Sequence, residues 1–290
     1  MTDVTVVVSF KDNASTLLDM VRSVVAQTHA DWRLVLLDDG STDGGADLLA
    51  GLADPRVRLV RHVENLGTPV RLNELTDLVD TPFLARMDGD DLMHPRRLER
   101  SLDVLAARPD LSFVAGHAVS VDRDSRPTGM RRSALAPSVP DHFRHAPFVH
   151  GTVTARTEWF REHRYDPTFR RCQDQELWVR TIGERSHVTL DEVLLYLREG
   201  GTVPAAKYAT SMRGTRRVLR THGRRVLGRR GTARFAARTV VSEGAYRAAD
   251  RVGAVDRLVA RRATGLGTEE LRRHEAEIER IRSVRLPGLD

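Results

Sequence analysis

The chain has 290 residues, 40% of them hydrophobic and 30% charged, a formal net charge of +6 and one cysteine, Cys172. This is enough chain to bury a sizeable core, as one large domain or as a domain with an appendage. An internal disulfide and a cysteine-based zinc site are excluded, and no apolar run approaches the roughly 20 residues of a membrane span. Met1-Thr2-Asp3 lacks the basic and apolar stretches of a signal peptide, so cytoplasmic residence is the default expectation.

Residues 4–10 are β-branched and apolar, the composition of a strand covered on both faces. Asn13 or Ser15 is placed to cap the next helix, where Leu17, Met20, Val21, Val24 and Val25 recur at spacings of three and four. Residues 32–37 form a second strand, ending at Asp38-Asp39-Gly40-Ser41-Thr42-Asp43, and Asp43 opens a helix through Leu48, Leu49 and Leu52. A third strand is expected over 57–60 and a helix over 69–78. Residues 83–87 make a fourth strand running into Asp88-Gly89-Asp90-Asp91. Pro95 suits the first turn of a helix through Leu98, Leu102 and Leu105, and residues 111–121 read as another strand.

Strands alternating with helices over the first 120 residues predict the α/β class, with a mainly parallel sheet flanked by helices. Ligands of such sheets sit beyond the carboxyl ends of the strands. Both acidic clusters lie at such ends and are expected on one rim. Residues 122–150 read as a loop or extended crossover, followed by a short strand near Val153 and a helix from Glu158. A loop at Tyr165-Asp166-Pro167, a helix from Asp174 through Trp178, and short strands over 188–190 and 193–197 complete the part before Gly200. Helical periodicity and abundant arginine follow to the end.

Carboxylates crowded this closely repel one another unless a cation, hydrogen-bond donors or a raised pKa relieves them. Asp88-Gly89-Asp90 puts two carboxylates on one side of an extended segment, a spacing that suits a divalent cation shared with ligand phosphates. The plainer reading is an acidic turn, but the cluster ends an apolar strand and stands beside a third carboxylate. Asp38 to Asp43 likewise reads either as a turn before a capped helix or as a contact for a nucleobase or ribose.

In order along the chain, residues 4–10, Ser23-Val24-Val25-Ala26-Gln27-Thr28, the two acidic clusters and Asn65-Leu66-Gly67 resemble the family 2 glycosyltransferases of GT-A fold. His150-Gly151-Thr152-Val153 and the run from Gln173 to Arg180 continue the resemblance, which covers about residues 3–200. It implies that Ser9 and Asp12 lie near the nucleotide, that Asp39 contacts the base and that Asp38 supports it. Arg71 could touch a phosphate or base, although a solvated helix face is the plainer reading. Asp88 and Asp90 match the DxD that binds Mn²⁺ or Mg²⁺ and the diphosphate, with Asp91 adjacent. Asp174 matches the expected catalytic base; Gln173 stands where the family has Glu. Many members place a metal-ligating histidine after the last strand. Here Leu197-Arg198-Glu199-Gly200 has none, so either Glu199 or water completes the coordination or metal binding is weaker; His150 is the alternative ligand, equally read as a structural histidine beside Gly151.

The implied activity is inverting transfer of a sugar from a nucleotide-diphosphate sugar, a UDP-sugar foremost, to an acceptor hydroxyl. That acceptor could be a lipid-linked or polysaccharide glycan or a small molecule. Residues 1–200 are expected to form the catalytic domain, about 1–120 for the donor and 121–200 for the acceptor, with 201–290 a helical extension. Residues 201–290 carry 21 Lys+Arg against 9 Asp+Glu, while 1–200 carry 25 against 31. The basic part can pack on the catalytic domain, make a homodimer contact or bind an anionic membrane surface at the inner membrane face. Nucleic acid is disfavoured, since no aromatic-interleaved basic platform is present. Rival readings are a nucleotidyltransferase, which Ser9-Phe10-Lys11-Asp12-Asn13 in place of a glycine-rich phosphate loop argues against, and a degenerate transferase-like adaptor.

Overall fold

Every second residue of Val4–Phe10 (β1) faces a different apolar layer, which is why the strand tolerates almost no polar side chain. The computed structural model describes residues 3–135, 137–144, 147–184, 186–199, 203–255 and 265–289. On one side Val4, Val6, Val8 and Phe10 pack with Leu17, Met20, Val21 and Val24 of helix α1, Leu17–Val25. On the other, Val7 joins Leu72 and Leu75 of helix α2, Thr68–Asp77, and an aromatic group of Phe113, Phe148, Trp159 and Trp178.

Strands β2 (Trp32–Asp39) and β4 (Phe83–Asp88) flank β1, both parallel to it, and β3 (Val57–His62) extends the sheet beyond β2. Then come β5 (Leu92–Met93), helix α3 (Arg97–Ala107), β6 (Phe113–Val121), β7 (Pro127–Arg131) and the single turn α4, Asp141–Arg144. β8 (Thr154–Arg156), helices α5 (Thr157–Glu162) and α6 (Gln173–Arg180) and strand β9 (His187–Arg198) complete this part. The strand order among the described residues is β3-β2-β1-β4-β8-β6-β9-β5, with β7 on β6. β8 runs antiparallel between β4 and β6.

Several expectations shift at their edges. The cap of α1 is Thr16, not Asn13 or Ser15; the Asn13 side chain accepts the Lys11 amide instead. The helix expected after Asp43 is a short 3-10 segment, Gly45–Leu49. Asp43 ties it down by accepting the amides of Ala14 and Gly45. The loop expected over 122–150 contains β7. The two short strands expected after 187 are one long strand with irregular register against β6, passing Gly116 so closely that a Cβ there would lie 2.5 Å from Leu194 Cδ1.

Helices α7 (Ala205–Val218) and α8 (Arg224–Arg251) are joined by a π-helical turn, Leu219–Gly223, and α8 is kinked at Gly228, φ 67°. Tyr208 and Tyr246 stack between them with centroids 4.0 Å apart. Val218, Leu219 and Phe235 pack with Phe143, Phe169 and Val179. Helix α9, Thr268–Arg282, sets Ile278 and Ile281 against Leu92, Val119, Val121 and Tyr196. The tail then returns to the first core. Leu286 is fully buried there, the Ala53 amide donates to the Pro287 carbonyl (2.7 Å), and Arg22 Nε donates to the Val284 carbonyl (3.1 Å). The composition changes near residue 200, but the hydrophobic core crosses that point.

Candidate active site

Strand register builds the rim. Ser9 pairs with both Leu37 and Asp88, and Phe10 pairs with Asp38. The two acidic clusters therefore leave neighbouring strands at the same level, one on each side of β1. Gly89 passes against the end of β1, where a Cβ would lie 2.7 Å from Phe10 Cβ. No larger residue fits between Asp88 and Asp90 without a shift.

On the β2 side the carboxylates are held by donors. Asp38 is buried and accepts the Ser41 amide at 2.8 Å. Asp39 accepts the amides of Leu66 (2.9 Å) and Gly67 (2.8 Å) and Nε of Arg71 (2.7 Å). Arg71 is not on a solvated helix face: it is 3% exposed and also donates to Glu74 (2.9 Å) and the Glu64 carbonyl (2.6 Å). Burial alone would lower its pKa; the hydrogen bonds to Asp39 and Glu74 outweigh that and raise it. Arg71 thus braces Asp39 and the 64–67 loop. Asp12, at φ 53°, accepts the Thr42 amide at 2.8 Å, and this bond, then Lys11, holds its carboxyl below the usual range against a smaller opposing desolvation. Its own amide donates to Ser41 Oγ (3.0 Å). The loops after β1 and β2 are laced together, with half-buried Ser9 beneath them.

On the β4 side the relief is incomplete. Both terminal nitrogens of buried Arg86 grip Asp88, at 2.6 and 2.5 Å. Arg86 lies two residues earlier on the same strand and so on the same face. Burial, then the charge of Asp88, pushes the Asp90 carboxyl up. Asp91 is 1% exposed, and burial, then Asp90 and Asp88, pushes it well up. Its Oδ1 accepts the Arg198 amide at 2.8 Å, while its buried Oδ2 has no hydrogen-bond partner. Arg198 Nε also donates to the Asp90 carbonyl at 2.9 Å. Asp88 and Asp90 face the rim; Asp91 turns inward beneath it.

Asp174 enters from α6. Its helix is capped by Cys172, so Asp174 stands in the first turn and not at the cap. Burial raises its pKa, the Gln175 amide and Arg86 pull it back, and Asp88 raises it again. Arg86 thus stands within electrostatic reach of both Asp88 and Asp174, as well as of Tyr165. The Tyr165 hydroxyl and His150 Nε2 are hydrogen-bonded at 2.9 Å. Burial, with Arg86 adding to it, pushes the pKa of His150 well down, which keeps the ring neutral, edge-on to Trp178 at 5.3 Å. Glu199 is occupied by Ser120 Oγ (2.6 Å) and Arg131 Nε (2.9 Å). Neither His150 nor Glu199 bonds Asp88 or Asp90, and among the described residues no three His, Cys, Asp or Glu side chains are grouped to hold a metal. The oxygen donors at the rim are Asp90 and Asp88, the latter shared with Arg86, and hard carboxylate oxygens of this kind fit Mg²⁺ or Mn²⁺.

Sequence reasoning missed Arg86, Arg198 and Tyr165. A signal existed for Arg86, an arginine inside an otherwise apolar strand two residues before the DxD. Nothing local marks Tyr165.

Residues 5–171 match the family model for glycosyl transferase family 2. The chain belongs to that family. Among curated relatives, EpsE of Bacillus subtilis, which carries a provisional glycosyltransferase name, is 31% identical over 68% of this chain and 73% of its own. ExoU of Rhizobium meliloti, a succinoglycan biosynthesis protein, is 26% identical over 62% of this chain and 57% of its own. Solved structures share the fold: S. aureus TarS 1–349 with UDP-GlcNAc superposes at TM-score 0.61, 14% identity, over 82% of this chain and 71% of that one. The mannosyltransferase PcManGT of Pyrobaculum calidifontis, with GDP-Man and Mn²⁺, gives 0.57 at 16% identity over 97% and 85%. This family 2 chain is a glycosyltransferase of GT-A fold, and the nucleotidyltransferase and adaptor readings fall with that assignment.

Proposed function

We propose that this glycosyltransferase moves a sugar from a nucleotide-diphosphate donor to an acceptor hydroxyl with inversion, Asp174 acting as base. The observation that carries the reading is that the buried Arg86 guanidinium, which grips Asp88 at the carboxyl end of β4, also lies within electrostatic reach of Asp174. UDP-GlcNAc in TarS and GDP-Man with Mn²⁺ in PcManGT support a nucleotide-sugar donor and a divalent ion. The catalytic part is residues 1–200, and 201–290 is its helical extension.

The Asp39–Arg71 brace and the 64–67 loop shape the nucleoside wall, with Ser9, Asp12 and Asp38 beside it. Asp88 and Asp90 would hold a divalent ion, which when bound neutralises charge on the diphosphate leaving group; Asp91 supports their loop from below. The acceptor oxygen forms the new bond to the anomeric carbon, the bond to the diphosphate breaks with its electron pair, and Asp174 takes the acceptor's proton. Burial favours this by making Asp174 more basic than an exposed aspartate.

The outer surface of α8 and of the π-helical turn before it supports contact with an anionic membrane. Arg220, Arg224, Arg229, Arg230, Arg234 and Arg238 are exposed and have no ion-pair partner among the described residues. Arg230, Arg234, Arg238 and Val241 share one helix face, and Val241 is 70% exposed. No helix among the described residues is long and apolar enough to cross a membrane.

Thermal stabilisation by a panel of nucleotide sugars with and without Mn²⁺ tests the donor reading. The expected result is Mn²⁺-dependent stabilisation by one nucleotide class, lost in Asp90→Ala. An unchanged response in Asp90→Ala would defeat the metal assignment.

A further inference from the structure

Asp174 is held from the far side of its helix by a part of the chain outside the matched family region. The first turn of α6 begins at Cys172, whose φ of 61° is uncommon for a residue with a side chain. Helix α7 lies against that turn. The Cys172 thiol donates to the Ser211 carbonyl at 3.4 Å, and Gly214 packs so closely that a Cβ there would lie 2.7 Å from Cys172 Sγ. Buried Thr215 donates its hydroxyl to Gln175 Oε1 at 2.9 Å, while the Gln175 amide group donates to the His142 carbonyl, also at 2.9 Å. Two turns on, in the π-helical turn after α7, His222 meets Glu176 at 2.9 Å. Further out, Arg217 donates to the Thr168 hydroxyl (2.7 Å) and lies over the Phe169 ring at 4.2 Å. The residues two before, one after and two after Asp174 are therefore each gripped by the segment 211–222. Asp174 itself takes no side-chain bond from that segment; the Gln175 amide acts on its carboxyl.

We infer that helix α7 is the positioning element of Asp174, with Gly214 and Thr215 as positioning residues for transfer. The inference rests on the reading of Asp174 as base. A methyl group at 214 must displace Cys172 Sγ, and with Cys172 Cβ at 3.3 Å and the Arg171 carbonyl at 3.4 Å it presses on the turn that carries Asp174. A displacement near 1 Å at a catalytic group costs up to about a hundredfold in rate.

The test uses the full chain and acceptor-independent nucleotide release from UDP-GlcNAc or GDP-mannose with Mn²⁺, whichever the enzyme hydrolyses. Gly214→Ala is expected to lower kcat about tenfold or more with KM within about twofold, and Cys172→Ala in the same chain to restore most of the loss by vacating the space of Sγ. Thr215→Val, which keeps the shape and removes the bond to Gln175, is expected to lower kcat severalfold; it decides the matter if Gly214→Ala does not fold. Wild-type kcat in the folded Gly214→Ala and Thr215→Val variants, or a loss in Gly214→Ala that Cys172→Ala does not relieve, overturns the inference. Asp174→Asn, measured alongside, separates the two readings. Full turnover there defeats the base assignment and the inference together, whereas lost turnover with no effect at 214 or 215 defeats the inference alone.

Discussion

Removal of the Arg71 side chain tests whether the wall proposed for the nucleoside site is held by a buried ion pair. In Arg71→Met the apolar stem is kept and the guanidinium lost. Asp39 then retains two amide donors, from Leu66 and Gly67, but loses the charged partner it has at 2.7 Å, with side-chain exposures of 4% and 5% for Arg71 and Asp39. Breaking a buried pair from one side costs ~3–5 kcal/mol, and the two surviving amide bonds place this case near the lower end. For 290 residues an unfolding entropy of about 2.1 cal/mol/K per residue gives roughly 0.6 kcal/mol/K. The melting temperature should therefore fall by about 5 °C. Scanning calorimetry at neutral pH on Arg71→Met, Asp39→Asn and the double variant measures the pair term. The double variant should be more stable than the sum of the single losses predicts. A fall below about 2 °C in Arg71→Met, or strict additivity, would refute the brace.

Asp174→Asn should lower turnover by about 10²–10⁴-fold while donor-induced thermal stabilisation is kept; wild-type kcat would refute its role. Because burial raises the pKa of Asp174 and the base works ionised, wild-type kcat should fall as pH drops through a value above that of an ordinary aspartate. An acid limb at or below the ordinary value would contradict this. Asp90→Asn should raise the melting temperature in the absence of divalent ions and abolish the Mn²⁺ response. The sign follows from the raised folded-state pKa: ionisation of Asp90 costs stability as pH rises from the unfolded pKa through the folded one. A lowered melting temperature at neutral pH would count against it. Vesicles containing phosphatidylserine should float the intact chain, and Gln at positions 220, 224, 229, 230, 234 and 238 should abolish flotation. Equal flotation would exclude the α8 surface. Point substitutions are needed here because truncation near 205 would remove Leu286 from the first core.

Local pattern carried much of the architecture. The apolar runs at Val4, Trp32 and Phe83 and the helical spacing of Leu17, Met20, Val21 and Val24 mark β1, β2, β4 and α1, since burial on a sheet or helix face imposes those periods. Strand order then put Asp38, Asp39, Asp88 and Asp90 on one rim. Arg71 misled because a charged residue on a short helix reads as solvated unless its partner is known, and Asp39 lies on another strand. The Asn13 and Ser15 caps failed for a related reason: the side chain best suited to cap α1 is satisfied by the Lys11 amide.

The sequence alone determined which residues can form a hydrophobic sheet, where its acidic ends fall and to which family the pattern is similar, because those depend on near-neighbour spacing. Only the tertiary structure decided how each carboxylate is partnered. Asp39 is filled by donors, Asp91 turns inward to Arg198, Arg86 grips Asp88 and lies within electrostatic reach of Asp174, and a basic tail closes back on the first core through Leu286. Each depends on desolvation and on charges brought close by chain segments far apart in sequence, and neither quantity is written in local order.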